Sequence, residues 1–102
     1  MTKKLPETVR VMGFTVAVSS PNEVLDAGSS FGSSNWDKQT MRIATDQTLE
    51  RQQNSLIHEL LHTASSSVLE LSEQLTERQV KGVGVVLHQI FRDNPAVLEF
   101  LR

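Results

Sequence analysis

The sequence contains no cysteine, and aromatic residues make up only 5% of it. Without cysteine, the chain can form neither a disulfide framework nor a thiolate metal site. A bound transition metal would therefore need histidine and carboxylate ligands. The three histidines and twelve acidic residues of the chain are the candidates for that role.

Long hydrophobic runs and clusters of basic residues are also missing. The chain has no run of about 18 consecutive apolar residues, the length that a membrane-spanning helix needs. Its first residues reach Pro6 and Glu7 before any apolar segment, which is not typical of a secretory signal. The net charge is −2 and the ten basic residues are scattered, so no electrostatic footprint for nucleic acid or a membrane surface is present. We expect a soluble, cytoplasmic protein without nucleic-acid or membrane partners.

Length and composition predict a single domain. A chain of 102 residues is long enough for one hydrophobic core but not for two. Hydrophobic residues make up 38% of the chain and charged residues 22%, which is ordinary for a folded globular protein. We therefore expect one domain over residues 1–102, in which any functional site shares the core.

The first half of the chain has the composition of β-strands. Residues 8–12 and 14–18 are short runs rich in β-branched residues, and Gly13 between them indicates a hairpin or a bulged bend. Phe31 and the alternating residues 41–44 flank a polar segment at 33–39, which predicts two more strands joined by a turn. The expected structure is a sheet of three or four strands that is mainly antiparallel.

From Gln47 the hydrophobic pattern changes to a helical period. Thr45 or Asp46 is the candidate N-cap of this first helix. Its apolar residues return to one side of the helix, namely Ile57, Leu60, Leu61, Ala64 and Val68. Serines 65–67 are expected to weaken or end the helix, because serine side chains compete for backbone hydrogen bonds.

A second helix is predicted by the capping box of Thr76 and Gln79. Residues 82–86 alternate glycine and valine and by propensity alone would suit a strand. The cap before them and the apolar spacing across them favour a helix with close packing at the glycines. Asn94 and Pro95 then predict the N-cap and first residue of a short helix through Leu101. The fold class is therefore α+β, with the sheet followed by packed helices.

The segment from His58 to His62 reads His-Glu-Leu-Leu-His and lies on the first predicted helix. Side chains four residues apart share one helix face, so both imidazoles can place a nitrogen ~2.0–2.1 Å from one zinc ion. Glu59 is rotated by ~100°, which keeps it out of the ligand set but near enough to accept a proton from water activated by the metal. The pattern predicts zinc as cofactor, His58 and His62 as ligands and Glu59 as catalytic base.

The alternative interpretation of this motif is two surface histidines with a solvated glutamate. A chance match is expected in roughly one sequence in a few hundred, and the requirement for an amphipathic helix lowers that rate. Leu60 and Leu61 between the histidines anchor the other side of the helix in the core. The histidines are therefore expected at the rim of the core, where a cleft can form.

A zinc site needs a third protein ligand, and Glu77 is the favoured candidate. It lies in the first turn of the capped second helix, a packed element that can aim its side chain at the first helix. The alternative role of Glu77 is to stabilise the helix N-terminus by ~0.3–1 kcal/mol without any metal.

Three further residues remain open as the third ligand. Glu70 and Glu73 lie in or beside the polar connection between the helices. Glu70 can also belong to a capping box that begins at Ser67. His88 is the last histidine, but it lies eleven residues after Glu77, ~16 Å along the same helix face, so the two cannot bind one ion. Otherwise His88 is a partly buried or surface histidine.

The sheet has a predicted role in substrate binding. A peptide can add as an extra strand along a sheet edge through main-chain hydrogen bonds. Residues 41–44, directly before the first helix, are the candidate edge, although they also fit a plain core strand. Trp36 in the polar turn is either a contact for a substrate or partner, or a ring folded back on the sheet.

Four segments together resemble a known family: Met-Arg-Ile at 41–43, Leu-Ile-His-Glu-Leu-Leu-His at 56–62, Leu-Thr-Glu-Arg-Gln-Val at 75–80 and Arg-Asp-Asn-Pro at 92–95. The chain is similar to the short zincin-like proteins of phages and prophages, whose layout is that of ImmA/IrrE-type metallopeptidases. The resemblance covers roughly residues 9–98, and only its His-Glu-x-x-His core is specific.

The resemblance implies a minimal zincin-like fold, in which a compact sheet precedes the zinc helix. It also implies that His58 and His62 are ligands, that Glu59 is the base and that a later glutamate completes the site. In ImmA/IrrE relatives this later glutamate usually lies farther downstream than Glu77 does here, beside a helix rich in Asn and Ala.

The leading functional hypothesis is a zinc-dependent, metallopeptidase-like hydrolase whose substrate is a peptide or protein. One regulatory protein is the expected substrate, because so small a chain cannot build deep specificity pockets. The alternative is a non-catalytic metal-binding or adaptor protein that binds a host or phage protein. A third hypothesis is a structural protein in which the motif is accidental.

Overall fold

The computed structural model describes residues 3–21, 31–69 and 73–102. These residues form a four-stranded sheet and three helices, which confirms the α+β class. In chain order the elements are β1 Thr8–Val11, β2 Phe14–Ser19, β3 Gly32–Asn35, β4 Thr40–Ile43, α1 Leu49–Val68, α2 Glu77–Asp93 and α3 Pro95–Leu101.

The sheet is mixed, so the expectation of a mainly antiparallel sheet is wrong. Its strand order is β1-β2-β4-β3, and β2 pairs with β4 in parallel, whereas β1–β2 and β3–β4 are antiparallel. Parallel neighbours need a connection of about a dozen residues or more. The connection from β2 to β4 covers residues 20–39 and includes β3, so it has that length. In the β3–β4 hairpin, β4 is the inner strand and β3 lies at the edge of the sheet.

The core lies between the sheet and α1. Val16, Met41 and Ile43 are almost completely buried, because alternate residues of β2 and β4 face the same side of the sheet. Leu56 and Leu60 of α1 pack against this cluster. The apolar side of α1 is therefore fixed on the sheet, and the other side of the helix remains for the polar residues of the motif.

The β1–β2 connection is a two-residue hairpin. Met12 and Gly13 both have positive φ, at 50° and 85°, as a type I′ turn requires, so the hairpin expected at Gly13 is confirmed. Trp36 lies in the β3–β4 turn and packs edge-on against Phe14, with ring centroids 5.4 Å apart. Its ring is thus folded back on the sheet.

Helix α1 begins two residues later than the pattern indicated. Thr48 is the N-cap, and its hydroxyl accepts a hydrogen bond from the Arg51 amide. Thr45 does not take that role, because its hydroxyl and its amide both donate to the Pro21 carbonyl and hold it in the connection after β4. The Gln47 side chain donates to the Ala44 carbonyl and so belongs to the connection as well.

The serines at 65–67 do not end α1, which continues to Val68. The Ser65 side chain is buried and accepts a hydrogen bond from the Leu75 amide. The Ser67 hydroxyl donates to the Ala64 carbonyl within the helix. Two of these serines therefore have partners that leave the helical backbone intact, and Ser65 ties the end of α1 to the start of α2.

Helices α1 and α2 are antiparallel neighbours, with His62 beside Glu77 at one end and Arg92 bonded to Glu50 at the other. The capping box at Thr76 is confirmed. The expected close packing is found at Gly84, which lies against α1, but not at Gly82, where nothing lies within 4 Å of an added Cβ atom. The short helix after Asn94 is also confirmed. None of the described helices has the length and hydrophobicity needed to cross a membrane.

Candidate metal centre

The two histidines of the motif converge on one point. His58 and His62 lie one turn apart on α1, and their Nε2 atoms are 3.2 Å apart. The two rings meet at 65° with centroids 4.8 Å apart. Their side chains are 22% and 25% exposed, so they lie at the rim of the core and remain open to solvent on one side.

Glu77 reaches these histidines from the first turn of α2. Its Oε1 atom lies 2.6 Å from Nε2 of His58, and its Oε2 atom lies 2.8 Å from Nε2 of His62. The capping box at Thr76 fixes the start of the helix and thereby the direction of this side chain. His58, His62 and Glu77 are the one group among the described residues that could hold a metal ion.

The geometry of this group suits a tetrahedral ion. Two ligand atoms that each lie 2.0–2.1 Å from one zinc ion are ~3.3 Å apart, which is close to the separation of the two histidine nitrogens. The Glu77 oxygens are at hydrogen-bond distances and would retreat by ~0.5 Å to make room. Two imidazoles and one carboxylate form a donor set typical of catalytic zinc, which keeps one position for water or substrate.

The electrostatic surroundings keep Glu77 ionised. Partial burial acts to raise the pKa of Glu77, but the charges of His58 and His62 and the hydrogen bonds from both rings together hold it below its ordinary value. Its side chain is 72% exposed, so water hydrates the charged form at little cost. The third candidate ligand is therefore available as a carboxylate.

Glu59 lies against β3 and lines the same cleft as the two histidines. It is only 6% exposed, and the Ser34 hydroxyl donates a hydrogen bond to its carboxylate. Burial raises the pKa of Glu59, against the opposing effects of His58, of the Ser34 hydrogen bond and of His62. A carboxylate in such a place is more basic than one in water, which suits a group that must accept a proton.

Gly32 of β3 leaves the room that Glu59 occupies. A Cβ atom at this position would lie 3.1 Å from Oε2 of Glu59 and 3.2 Å from its Cγ. The strand therefore contacts the carboxylate directly, and a larger residue would displace it. Glycine inside a strand commonly marks such a close approach.

Strand β3, and not residues 41–44, forms the sheet edge beside the motif. Strand β4 lies between β2 and β3, and its Met41 and Ile43 belong to the core. The expectation that 41–44 is the substrate edge is therefore wrong, whereas their alternative role as a core strand is confirmed. The error follows from the β3–β4 hairpin, which places the later strand inside the sheet.

The other candidate ligands lie elsewhere or outside the description. His88 is buried at 7% exposure; its Nδ1 contacts Oδ1 of Asn54, and its Nε2 lies 3.0 Å from Oε1 of Gln53. Glu73 is exposed and does not join the metal-holding group. Glu70 falls outside the described residues.

A cleft of about 830 Å³ opens over the three converging groups. Phe31 and residues 32–34 form one wall, and α2 from Glu77 to Val85 forms the other. Helix α1, from Asn54 to His62, lies between these walls. The volume is in the range of ordinary ligand sites, and an extended chain in this cleft would pass between the β3 edge and α2.

Three residues of the cleft were missed by the sequence analysis. Ser34 was assigned to the polar segment at 33–39 and Gly32 was given no role, although a glycine beside Phe31 could have signalled close backbone approach. Lys81 follows Glu77 by one helical turn, so its position could have been derived from the ligand assignment.

No protein-family model, curated protein or solved structure matches this chain. The resemblance to phage zincin-like proteins therefore stays a prediction.

Proposed function

We propose that this protein is a zinc-dependent peptide hydrolase of the His-Glu-x-x-His type, located in the cytoplasm. The observation that carries the proposal is the convergence of His58, His62 and Glu77 beside the buried carboxylate of Glu59. Groups that fold together from two helices and face one cleft are hard to explain as a solvated helix face. The spacing of the motif and the position of Glu77 are independent features of the sequence, and both support one site.

In this proposal three residues hold the metal and one moves protons. His58 and His62 supply neutral nitrogens, and Glu77 supplies one negative charge. When bound, zinc supplies Lewis-acid polarisation of a substrate carbonyl and a lowered pKa for water.

Glu59 supplies the acid–base chemistry. Its carboxylate takes a proton from the attacking water as the new C–O bond forms, and then delivers that proton to the amine nitrogen as the C–N bond breaks. Ser34 and Gly32 keep the carboxylate in place during both transfers.

The β3 edge is the proposed support for the peptide. An edge strand can bind an extended chain through main-chain hydrogen bonds that require no particular side chains. Because Ser34 of this strand also bonds Glu59, a peptide seated on β3 lies beside the base. The hydrogen bond thereby fixes the position of Glu59 relative to strand β3.

The test is hydrolysis of a mixed peptide pool by zinc-loaded protein, with products identified by mass spectrometry. The wild type is expected to cleave, chelation is expected to stop cleavage, and added zinc is expected to restore it. Glu59→Gln should retain one zinc per chain and lose about 10²–10⁴-fold in turnover.

Two outcomes would contradict the proposal. One is a wild type that holds zinc but cleaves no peptide or protein in the pool, which would favour the non-catalytic metal-binding or adaptor function. The other is a Glu59→Gln protein as active as the wild type, which would mean that any hydrolysis comes from another source.

A further inference from the structure

Lys81 lies at the edge of the face of α2 that contacts α1. Glu77, Lys81, Gly84 and His88 follow one another at intervals of four, three and four residues and therefore share one side of the helix. Gly84 and His88 on this side are buried. Lys81 itself is exposed, so it lies at the rim of this interface, and it lines the same cleft as His58.

The charge of Lys81 is not neutralised by the acids around it. A glutamate four residues before a lysine normally pairs with it, but both Glu77 oxygens lie on the histidine nitrogens. Glu59 is buried and bonded to Ser34. Within the described part of the chain, Lys81 forms no ion pair.

The remaining cleft residues favour an anion. Among the described residues that line the cleft, Lys81 is the only lysine or arginine, and the polar uncharged lining comes from Ser33, Ser34, Asn54 and Ser55. A bound divalent metal and Lys81 together outweigh the negative charges of the two glutamates in the cleft, Glu59 and Glu77. A carboxylate that enters the cleft therefore meets a free ammonium group and hydroxyl or amide donors.

We infer that Lys81 is a specificity-determining residue, which binds a carboxylate of the peptide near the bond that is cleaved. This inference rests on the proposed hydrolase function, because it names the substrate class of the same cleft. The carboxylate comes either from an acidic side chain or from the C-terminus of the peptide. Lys81 lies on the wall opposite β3, so it can reach such a group while the backbone of the peptide follows the strand.

The experiment compares four versions of one labelled peptide that the wild type cleaves, or of a generic peptide if it cleaves none. Glutamate or glutamine stands beside the central bond, and each version ends in a free carboxylate or an amide. Binding is measured by fluorescence anisotropy with zinc-loaded Glu59→Gln protein, so that the result does not depend on turnover. Cleavage by the wild type is measured in parallel as kcat and KM.

We expect the best carboxylate peptide to bind about five- to thirtyfold more tightly than its neutral version. Lys81→Gln should remove this preference, Lys81→Arg should keep most of it, and all three proteins should retain one zinc. The control is Lys38→Gln, since Lys38 lines a second hollow that includes none of His58, His62 and Glu77. The effect of Lys81→Gln should appear in KM, with little change in kcat.

The outcomes separate this inference from the proposed function. If neutral and acidic peptides bind equally, or if Lys81→Gln keeps the preference, the role of Lys81 is wrong even where the wild type cleaves. If the preference is present and depends on Lys81 but nothing is cleaved, the proposed hydrolase function is wrong and the inferred carboxylate-binding role of Lys81 is supported. The glutamate peptides and the free C-termini show which source of the carboxylate is used.

Discussion

The two ends of the α1–α2 pair both join histidines to residues of the facing helix, but in different ways. At one end His58 and His62 are partly exposed, and a carboxylate contacts both of them. At the other end His88 is buried, and each of its ring nitrogens faces a side-chain amide oxygen. The same residue type in the same helix pair thus has two different environments.

The difference shows what turns a histidine into a candidate ligand. A metal ion needs imidazole nitrogens that converge, an anionic partner and an open position for water or substrate. The end with His58 and His62 has all three, whereas the His88 end offers uncharged oxygens in a closed space. We therefore assign metal binding to the first end and stabilisation of the helix pair to the second.

The largest expected effect is a loss of zinc affinity when a histidine is replaced at the end of the helix pair that contains His58 and His62. His58→Ala should lower the affinity for zinc by ~100-fold or more, because it removes one of three protein ligands. Zinc at ~100 times its dissociation constant stabilises the wild type by ~2.7 kcal/mol, which raises Tm on the order of 10 °C. Thermal melting with and without zinc should show that this shift is lost in His58→Ala. A shift that survives in this variant would place the ion elsewhere.

The next effect is on stability at the buried end. His88→Ala should cost ~2–3 kcal/mol of unfolding free energy, because it leaves the amide groups of Gln53 and Asn54 without their partner and opens a cavity. Urea unfolding of metal-free protein measures this loss. The variant should still bind one zinc per chain; a His88→Ala protein that is stable but no longer binds zinc would contradict the division between the two ends.

A smaller effect sharpens the account of the base. Gly32→Ala places a Cβ atom against Glu59, and a displaced base should lower kcat by about tenfold or more while zinc binding is unchanged. Gly82→Ala is the matched control, because nothing lies within 4 Å of the added atom. That control should keep its activity and gain ~0.5–1 kcal/mol of stability, as expected for alanine inside a helix. Equal kcat in both variants would mean that the small size of Gly32 is not needed for catalysis.

The smallest expected effect is on how the stability of the metal-free protein depends on pH. Burial raises the pKa of Glu59 in the folded chain above its ordinary value of 4.5. The folded state therefore binds this proton more tightly than the unfolded state, and its contribution to stability is lost as pH rises through the folded pKa. In chelator-treated protein, Glu59→Gln should gain stability relative to the wild type as pH rises above the ordinary glutamate pKa of 4.5. A relative loss over this range would show that the buried carboxylate is stabilised when ionised.

Much of the candidate site could be predicted because its parts are local. The spacing of His58 and His62 determines their shared face once the helix is recognised, and the cap at Thr76 locates Glu77 on the next helix. The approach of Glu77 to the histidines follows from two antiparallel helices joined by a short connection. Helix periods and caps are properties of neighbouring residues, and a sequence reveals them directly.

The sheet was less predictable because strand order depends on distant parts of the chain. Residues 14–19 and 40–43 give no sign that they pair in parallel, or that β3 becomes the edge. The role of Gly32 beside Glu59 depends on that order, so it could not be derived from the local pattern. The start of α1 was misplaced for a similar reason, since Thr45 is held by Pro21 of an earlier segment.

The central claim is that His58, His62 and Glu77 hold one metal ion. The most direct measurement is zinc-edge X-ray absorption of protein loaded with one equivalent of zinc, together with the zinc content after gel filtration. We predict one zinc per chain, two imidazole nitrogens and a carboxylate oxygen at ~2.0–2.1 Å, and loss of one imidazole in His62→Ala. A wild type that retains no zinc, or a spectrum that His62→Ala leaves unchanged, would contradict the account.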